Sequence, residues 1–199
     1  MNLYAGYPIP SDSFWRKMRR DAFGSSGWKN LKGLLLALTS KTARPFAGRI
    51  VVAQLAIFAM FTAVGRPELF LFLWLLPWMT VWRVMNRLRA IAEHGGMMQS
   101  KDRRLTTHHV EQSLLARLTL VPFNTGWHLA HHVDMGVPWR NLPRLHDELV
   151  ASGWLAPAIE YPSYRALWRE LSSRSEADSG DRSGLQAGAD RSSFLDFSQ

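Results

Sequence analysis

Two apolar stretches near the middle of the chain decide the fold: IVVAQLAIFAMFTAV (residues 50–64) and LFLFLWLLPWMTVW (residues 69–82). Neither contains a charged residue, and residues 65–68 between them are helix breakers and charged groups. Each stretch is shorter than the roughly 20 residues that cross a bilayer, but flanking residues can extend the first, and Arg83 can reach the interface from the second. The pattern predicts a transmembrane helical hairpin over residues 46–83. The alternative, a buried hairpin of a soluble protein, would normally show polar positions on a solvent face.

Charge sets the expected topology of this hairpin. The 199-residue chain has a net charge of +8, and residues 1–49 hold nine Lys or Arg against Asp12 and Asp21. Basic residues precede and follow the hairpin, so the positive-inside rule predicts that both termini are cytoplasmic. A basic segment beside a membrane also suits an anionic leaflet. A soluble DNA-binding domain is the alternative use of this charge, but no nucleic-acid-binding signature accompanies it, and we expect no nucleic acid partner.

The predicted fold class is all-α: an integral membrane helical hairpin with a cytoplasmic helical cap that carries a histidine metal site. Residues 1–45 are predicted to form basic cytoplasmic or interfacial helices, residues 46–83 the hairpin, and residues 84–172 the cap. Residues 173–199 are rich in Ser, Asp, Gly and Arg, with little to bury, and are predicted to be a disordered tail.

Several helices are predicted within these regions from periodicity and breakers. One begins at Ser11 or Ser13 and is ended by the Gly-Ser-Ser-Gly of residues 24–27. A second helix, amphipathic, is predicted over residues 28–39, on a membrane surface or on the surface of a globular domain. The second apolar stretch is predicted to continue as a helix as far as Gly95-Gly96. Further along the chain, residues 110–120 have helical periodicity, residues 122–125 are predicted to open a helix, and another helix is predicted over residues 142–154.

A histidine cluster in the cap has the spacing of a metal site. His128, His131 and His132 lie at positions i, i+3 and i+4, which share one face of a helix. Imidazole suits iron, zinc, copper and nickel, and the zincin pattern His-Glu-x-x-His is missing. The chain has no cysteine, which excludes a disulfide scaffold, a cysteine nucleophile and any Cys-ligated zinc or iron–sulfur site. Three unrelated surface histidines are the alternative.

The other histidines carry weaker signals. His94 stands alone at the predicted end of the long helix, where an exposed or hydrogen-bonded residue is more common than a ligand. His108 and His109 form a doublet in a polar link and are predicted to be solvent-exposed. His146 is interpreted as a packing or surface residue. Asn124, four residues before the cluster, either caps the helix or hydrogen-bonds a ligand or a metal-bound water.

These residues resemble a known family. The stretch NTGWHLAHH (residues 124–132), followed by VPWRNLPRLH (residues 137–146), resembles the last histidine box of the membrane fatty acid desaturases. The stretch RLRAIAEHGG (residues 87–96) resembles the segment that leaves the last transmembrane helix in bacterial members. The resemblance covers residues 40–150, and residues 1–32 more loosely resemble the stretch after the second histidine box.

The resemblance implies a function and a set of ligands. Members of the family hold two irons with histidines, activate O2, and take two hydrogens from an acyl chain in a membrane to make a double bond. It implies that His94, His128, His131 and His132 are iron ligands, and that Asn124 supports them from outside the ligand shell. It also implies an electron donor such as a ferredoxin or a cytochrome b5-like carrier, and location in a bacterial inner membrane.

The sequence departs from the family pattern before His94. Members also carry an earlier membrane hairpin, an H-x3-4-H box and an H-x2-3-H-H box, but no histidine precedes His94 here. We therefore expect an N-terminally truncated desaturase, from a wrong start, a degraded gene or a split enzyme. The alternatives are a catalytically inactive remnant, a subunit with half of the metal site, or a lipid hydroxylase of the same type. In a complete enzyme, His131→Ala is expected to abolish iron binding.

Overall fold

The computed structural model describes residues 6–97, 100, 102–155 and 159–173, and this part of the chain is mostly helical, as the sequence predicts. Residues 174–199, which hold nearly all of the predicted disordered tail, lie outside the described residues. The chain divides into two compact units, one formed by Met1–Phe14 with Leu88–Gln199 and the other by Trp15–Arg87.

The α-helices, in chain order, are α1 (Ser11–Ala22), α2 (Ser25–Ala37), α3 (Arg44–Ala63), α4 (Leu76–Met79), α5 (Val81–His94), α6 (Leu114–Thr119), α7 (His128–Val133), α8 (Leu142–Ala151) and α9 (Tyr164–Leu171). A π-helical segment spans Phe70–Leu75, and 3₁₀ turns span Arg103–Leu105 and Trp139–Asn141. Strands β1 (His109–Val110) and β2 (Glu160–Tyr161) form a parallel pair in which His109 lies opposite Glu160.

Helix α3, in the unit Trp15–Arg87, carries the first apolar stretch. It is 20 residues long, which corresponds to about 30 Å. In the described part of the chain, it is the one helix long and apolar enough to cross a membrane. Its large side chains are largely uncovered, with Phe46 and Met60 each 69% exposed. Apolar exposure on this scale is typical of a surface that meets lipid or another apolar partner.

The second apolar stretch is helical but interrupted, so the prediction of one helix running on to Gly95 is wrong. Pro77 lacks a backbone N–H, and its ring clashes with the carbonyl four residues earlier in a regular α-helix. The chain is π-helical just before it, over Phe70–Leu75, and leaves helical geometry at Thr80, where φ is −118° and ψ is −83°. Helix α5 then begins at Val81 and ends at His94, directly before Gly95, as predicted.

The two apolar stretches contact each other in antiparallel order. The Trp74 indole N–H donates to Gln54 Oε1 at 2.7 Å, and the rings of Phe58 and Phe70 meet edge to face at 5.4 Å. A second crossing of the membrane by residues 69–82 stays a prediction.

The predicted break between the first two helices is confirmed but shorter than expected. Gly24 adopts a left-handed conformation with φ of 78°, and α2 already begins at Ser25. Gly27 therefore lies inside α2, where it lets the helix approach α4. A Cβ at Gly27 would collide with the carbonyl oxygen of Met79. Within the same unit, Arg87 forms an ion pair with Asp21, which is 1% exposed.

The unit that contains Leu88–Gln199 corrects two predicted helices. Instead of a helix over 110–120, β1 precedes the short helix α6, whose start is capped by the Ser113 hydroxyl accepting from the Ala116 N–H at 3.2 Å. Residues 122–125 do not open a helix, because Phe123 and Asn124 have φ of 56° and 59°. Helix α7 begins only at His128.

Candidate metal centre

Three histidine side chains from two helices converge in this unit. His94 is the last residue of α5, and His128 and His132 lie on α7. The Nε2 atom of His128 is 3.2 Å from Nε2 of His94 and 3.1 Å from Nε2 of His132. We call this group the triad. One ligand nitrogen from each residue lies within 4.8 Å of the other two.

The local sequence explains how the triad forms. His128 and His132 are four residues apart, so they stack on one face of α7. Leu129 and Ala130 point in other directions from the same helix, are 0% and 1% exposed, and anchor it in the core. His94 is placed by the end of α5, where Gly96 takes a left-handed φ of 76° and turns the chain away.

The His94 ring is oriented by a backbone carbonyl. Its Nδ1 atom lies 2.9 Å from the carbonyl oxygen of Thr106, which can only accept a hydrogen bond. The bond therefore assigns the proton to Nδ1 and leaves a lone pair on Nε2, the atom that faces His128. Metal-binding histidines commonly have their second nitrogen held in this way.

Burial keeps two members of the triad, His128 and His132, uncharged. It lowers the pKa of His128 to about 2, assisted by the nearby His132 and His94. Burial also lowers the pKa of His132. Neutral imidazoles retain the lone pairs that a metal needs, so no proton has to leave these two rings when an ion binds at neutral pH.

One carboxylate lies beside the triad. Glu93 Oε1 accepts from Arg89 Nε at 2.6 Å and lies 3.7 Å from His128 Nδ1. Burial raises the pKa of Glu93, while the hydrogen bond and charge of Arg89 oppose that rise. The distance to His128 is too long for a direct hydrogen bond, so Arg89 is the group that holds this carboxylate.

The triad fits a transition metal. Bonds of about 2.0–2.2 Å from an ion to histidine nitrogen put neighbouring ligand atoms roughly 3.0–3.5 Å apart. The two Nε2–Nε2 separations of 3.1 and 3.2 Å fall in that range. An all-imidazole set suits iron, zinc, copper or nickel.

His131 and Asn124, the other predicted site residues, lie apart from this convergence. The ring centroid of His131 is 6.2 Å from that of His128 and 6.0 Å from that of His132, and His131 does not belong to the triad. The Asn124 amide donates to the Trp139 carbonyl at 3.3 Å. Asn124 does not cap α7, because Trp127 occupies the cap position. A supporting role for Asn124 at the metal stays a prediction.

Two of the remaining histidines form a second cluster. His109 and His146 stack with ring centroids 3.9 Å apart, and Trp127 packs beside them at 5.4 and 4.6 Å. The prediction that His108 and His109 are exposed is wrong, because the β1–β2 pairing carries them inside, where they are 8% and 6% exposed. The sequence leaves His146 as either a packing or a surface residue, and at 7% exposed it is a packing residue.

Sequence reasoning missed Thr106, Glu93 and His108 near the triad. Thr106 acts through its backbone carbonyl, a group that every residue has, so its side chain gives no signal. Glu93 directly precedes His94 in the chain, and that adjacency was its only signal. His108 shares a doublet with His109 in a polar stretch, and only the folded structure shows that both are buried.

Comparison with known families shows which family the chain belongs to. Residues 3–172 match the family model described as fatty acid desaturase. The chain belongs to the fatty acid desaturase family. No curated protein and no solved structure matches it. Membership confirms the resemblance and supports a desaturase-like activity in lipid metabolism. The family is membrane-associated, in keeping with the apolar helix α3.

Proposed function

We propose that the chain is the C-terminal, metal-binding part of an iron-dependent membrane desaturase. The observation that carries the proposal is the convergence of the triad in a chain that matches the desaturase family over residues 3–172. The reaction takes two hydrogens from adjacent carbons of an acyl chain. With two electrons and two protons from a donor system, O2 is reduced to two waters as the double bond forms. A ferredoxin or a cytochrome b5-like carrier is the proposed electron donor.

Iron would be held by His94, His128 and His132, and it supplies the activation of O2 when bound. The contribution of the chain is to fix three imidazoles in position. His94 is held by Thr106, and His128 and His132 are held by one rigid helix turn. Glu93 would place a carboxylate beside the triad, and Arg89 neutralises that charge and holds the carboxylate in position.

His131 is proposed to serve a second iron. Its ring nitrogens do not join the group of ligand atoms, all within 4.8 Å of one another, that the triad forms. Further ligands for that iron would come from histidine boxes outside this sequence, in the same polypeptide or in a partner chain. Asn124 would support the ligands by hydrogen bonding.

The membrane arrangement is proposed to follow the charge pattern. Residues 46–83 form the hairpin, both termini lie in the cytoplasm of a bacterium, and the hairpin sits in the inner membrane. Within the unit Trp15–Arg87, an apolar cavity of about 190 Å³ is lined by residues that include Ile50, Gln54 and Trp74. This cavity offers space for part of a fatty acyl substrate or membrane lipid.

The test is to complete the enzyme and identify its product. The chain is co-expressed with a segment that carries a membrane hairpin and the first two histidine boxes, and the acyl chains of the host lipids are analysed by mass spectrometry. We expect a new double bond that disappears with His132→Ala.

Three other results would contradict the proposal. A hydroxylated chain would identify a lipid hydroxylase. No new product, with iron bound in the assembled complex, would identify a non-catalytic subunit. No new product and no iron bound would identify an inactive remnant.

A further inference from the structure

Residues 106–108, which we call the strap, run beside the end of α5, where His94 is located. We propose that the strap fixes the His94 ring for metal binding, and that His108 is a positioning residue that holds the end of α5 against it. The inference rests on the proposed function, because it concerns the same metal site. It assigns a role to a buried histidine that is not itself a ligand.

The first contact of the strap is with the His94 ring itself. The Thr106 carbonyl accepts from His94 Nδ1 at 2.9 Å. Thr106 is 1% exposed, and its own position is fixed because its backbone N–H and hydroxyl both donate to the Arg103 carbonyl, at 3.1 and 2.9 Å. The carbonyl that orients His94 therefore belongs to a closed turn.

The second contact is a pair of bonds from His108 to the backbone on either side of His94. The His108 backbone N–H donates to the Glu93 carbonyl at 3.1 Å, and its Nε2 lies 2.7 Å from the Gly95 carbonyl oxygen. Carbonyls at the end of a helix lack partners within the helix, so His108 satisfies groups that would otherwise be unpaired. One residue thus holds the peptide groups that flank the ligand.

The hydrogen-bond geometry assigns the form of the His108 ring. A carbonyl only accepts, so Nε2 carries the proton that it donates to Gly95. The Nδ1 atom of His108 is buried and has no partner within the described residues, so it needs no second proton. The ring acts as a neutral donor, a role that a side-chain amide of suitable length can reproduce.

Packing around Gly95 also restricts the chain at the end of α5. A Cβ at Gly95 would lie 2.6 Å from both the Ile91 carbonyl oxygen and Leu171 Cδ1. The chain leaving α5 therefore has no room to shift toward Leu171. The His108 side chain adds a hydrogen bond at the Gly95 carbonyl to this steric contact, and that bond is the one that its substitution removes.

The test measures metal binding by the full chain in detergent, with Co(II) as the probe and competition against a chromophoric chelator as the readout. Co(II) absorption also reports ligand geometry. His108→Asn and His108→Gln form a matched pair, because both carry an amide and only the longer Gln reaches the Gly95 carbonyl. His94→Ala is the ligand control. Circular dichroism establishes that each variant is folded.

We expect His108→Asn to weaken Co(II) binding by roughly 10–100-fold, as is typical for loss of an outer-shell partner, and to change its absorption spectrum. His108→Gln should restore affinity to within a few-fold of wild type. If His94→Ala abolishes binding but His108→Asn binds like wild type, His108 has no positioning role and the metal site stands. If His94→Ala binds like wild type, the triad is not the metal site, and the proposed function loses its support together with this inference.

Discussion

The two histidine clusters within Leu88–Gln199 use the same side chain in opposite ways. In the triad, ring planes are inclined by 69–89°, and their Nε2 atoms meet. In the stack of His109 and His146, the planes are inclined by only 27°, with centroids 3.9 Å apart. Imidazole lone pairs lie in the ring plane, so two rings stacked face to face do not direct their lone pairs at an ion between them, whereas the Nε2 atoms of the triad converge. The position of the ring nitrogens therefore separates the candidate metal site from the packing contact.

Burial does not make this distinction. It lowers the pKa of His128 in the triad to about 2 and the pKa of His109 in the stack to about 3. Both residues are therefore neutral near pH 7, although only one of them belongs to the converging group. Burial and a lowered pKa are common to the two clusters, whereas the direction of their ring nitrogens divides them.

The largest expected effect is the loss of metal binding when the middle of the triad is removed. His128 contacts both other members, so His128→Ala should lower Co(II) or Fe(II) affinity by more than the roughly 10–100-fold typical of outer-shell changes. His146→Ala is the matched control, because it removes a buried histidine from the stack. Metal stoichiometry after anaerobic loading of the purified chain measures the effect.

The control should keep its metal affinity and show a lower thermal unfolding midpoint, because it leaves a cavity in the stack. If His146→Ala lost the metal as completely as His128→Ala, the comparison between the two clusters would be broken.

The sequence predicts which histidines lie together only when they are close in the chain and share one helix. The spacing of His128 and His132 is enough by itself to put them on one face of a helix. His94 lies 34 residues from His128, so spacing does not place the two together, and it is the family resemblance that implies a ligand role for His94. The stack depends on the pairing of β1 with β2, whose strands are two residues long and about 50 residues apart in the chain. Strands this short leave no periodic signal.

The same reasoning holds for the fold. The uncharged stretch over residues 50–64 is long enough to predict α3. Pro77 marks a disturbance in the second apolar stretch, but its outcome, a π-helical segment before it and a break at Thr80, depends on local geometry that composition does not specify.

The stack should make stability depend on pH. His109 has an ordinary pKa of 6.5 when unfolded and about 3 when folded, mainly because of burial and secondarily because of His146. Between these values the unfolded chain binds a proton that the folded chain does not, so stability is fully present above pH 6.5 and falls as pH drops toward 3. His109→Phe keeps an aromatic ring and cannot titrate. Between pH 7.5 and 5.5, the metal-free variant should lose about 1 kcal/mol less stability than wild type.

Chemical unfolding of the metal-free chain in detergent at the two pH values measures this difference. Trp127→Phe is the control, because it alters the stack without removing a titratable group, and its pH dependence should match that of wild type. An unchanged pH dependence in His109→Phe would show that His109 is protonated in the folded chain as readily as in the unfolded chain.

The smallest expected effect concerns His131, which lies on α7 beside the triad. In the chain alone, His131→Ala should change Co(II) affinity by no more than a few-fold, because the His131 ring lies 6.0 and 6.2 Å from its neighbours on α7 and outside the converging nitrogens. His132→Ala, one residue away, is the matched control and should abolish tight binding. In the completed enzyme, His131→Ala should remove the activity, because His131 is proposed to bind the second iron there. A large loss in the chain alone would mean that His131 shares the ion of the triad. Four histidines would then surround one metal, and the spacing of the whole box, rather than the convergence of three ring nitrogens, would define the site.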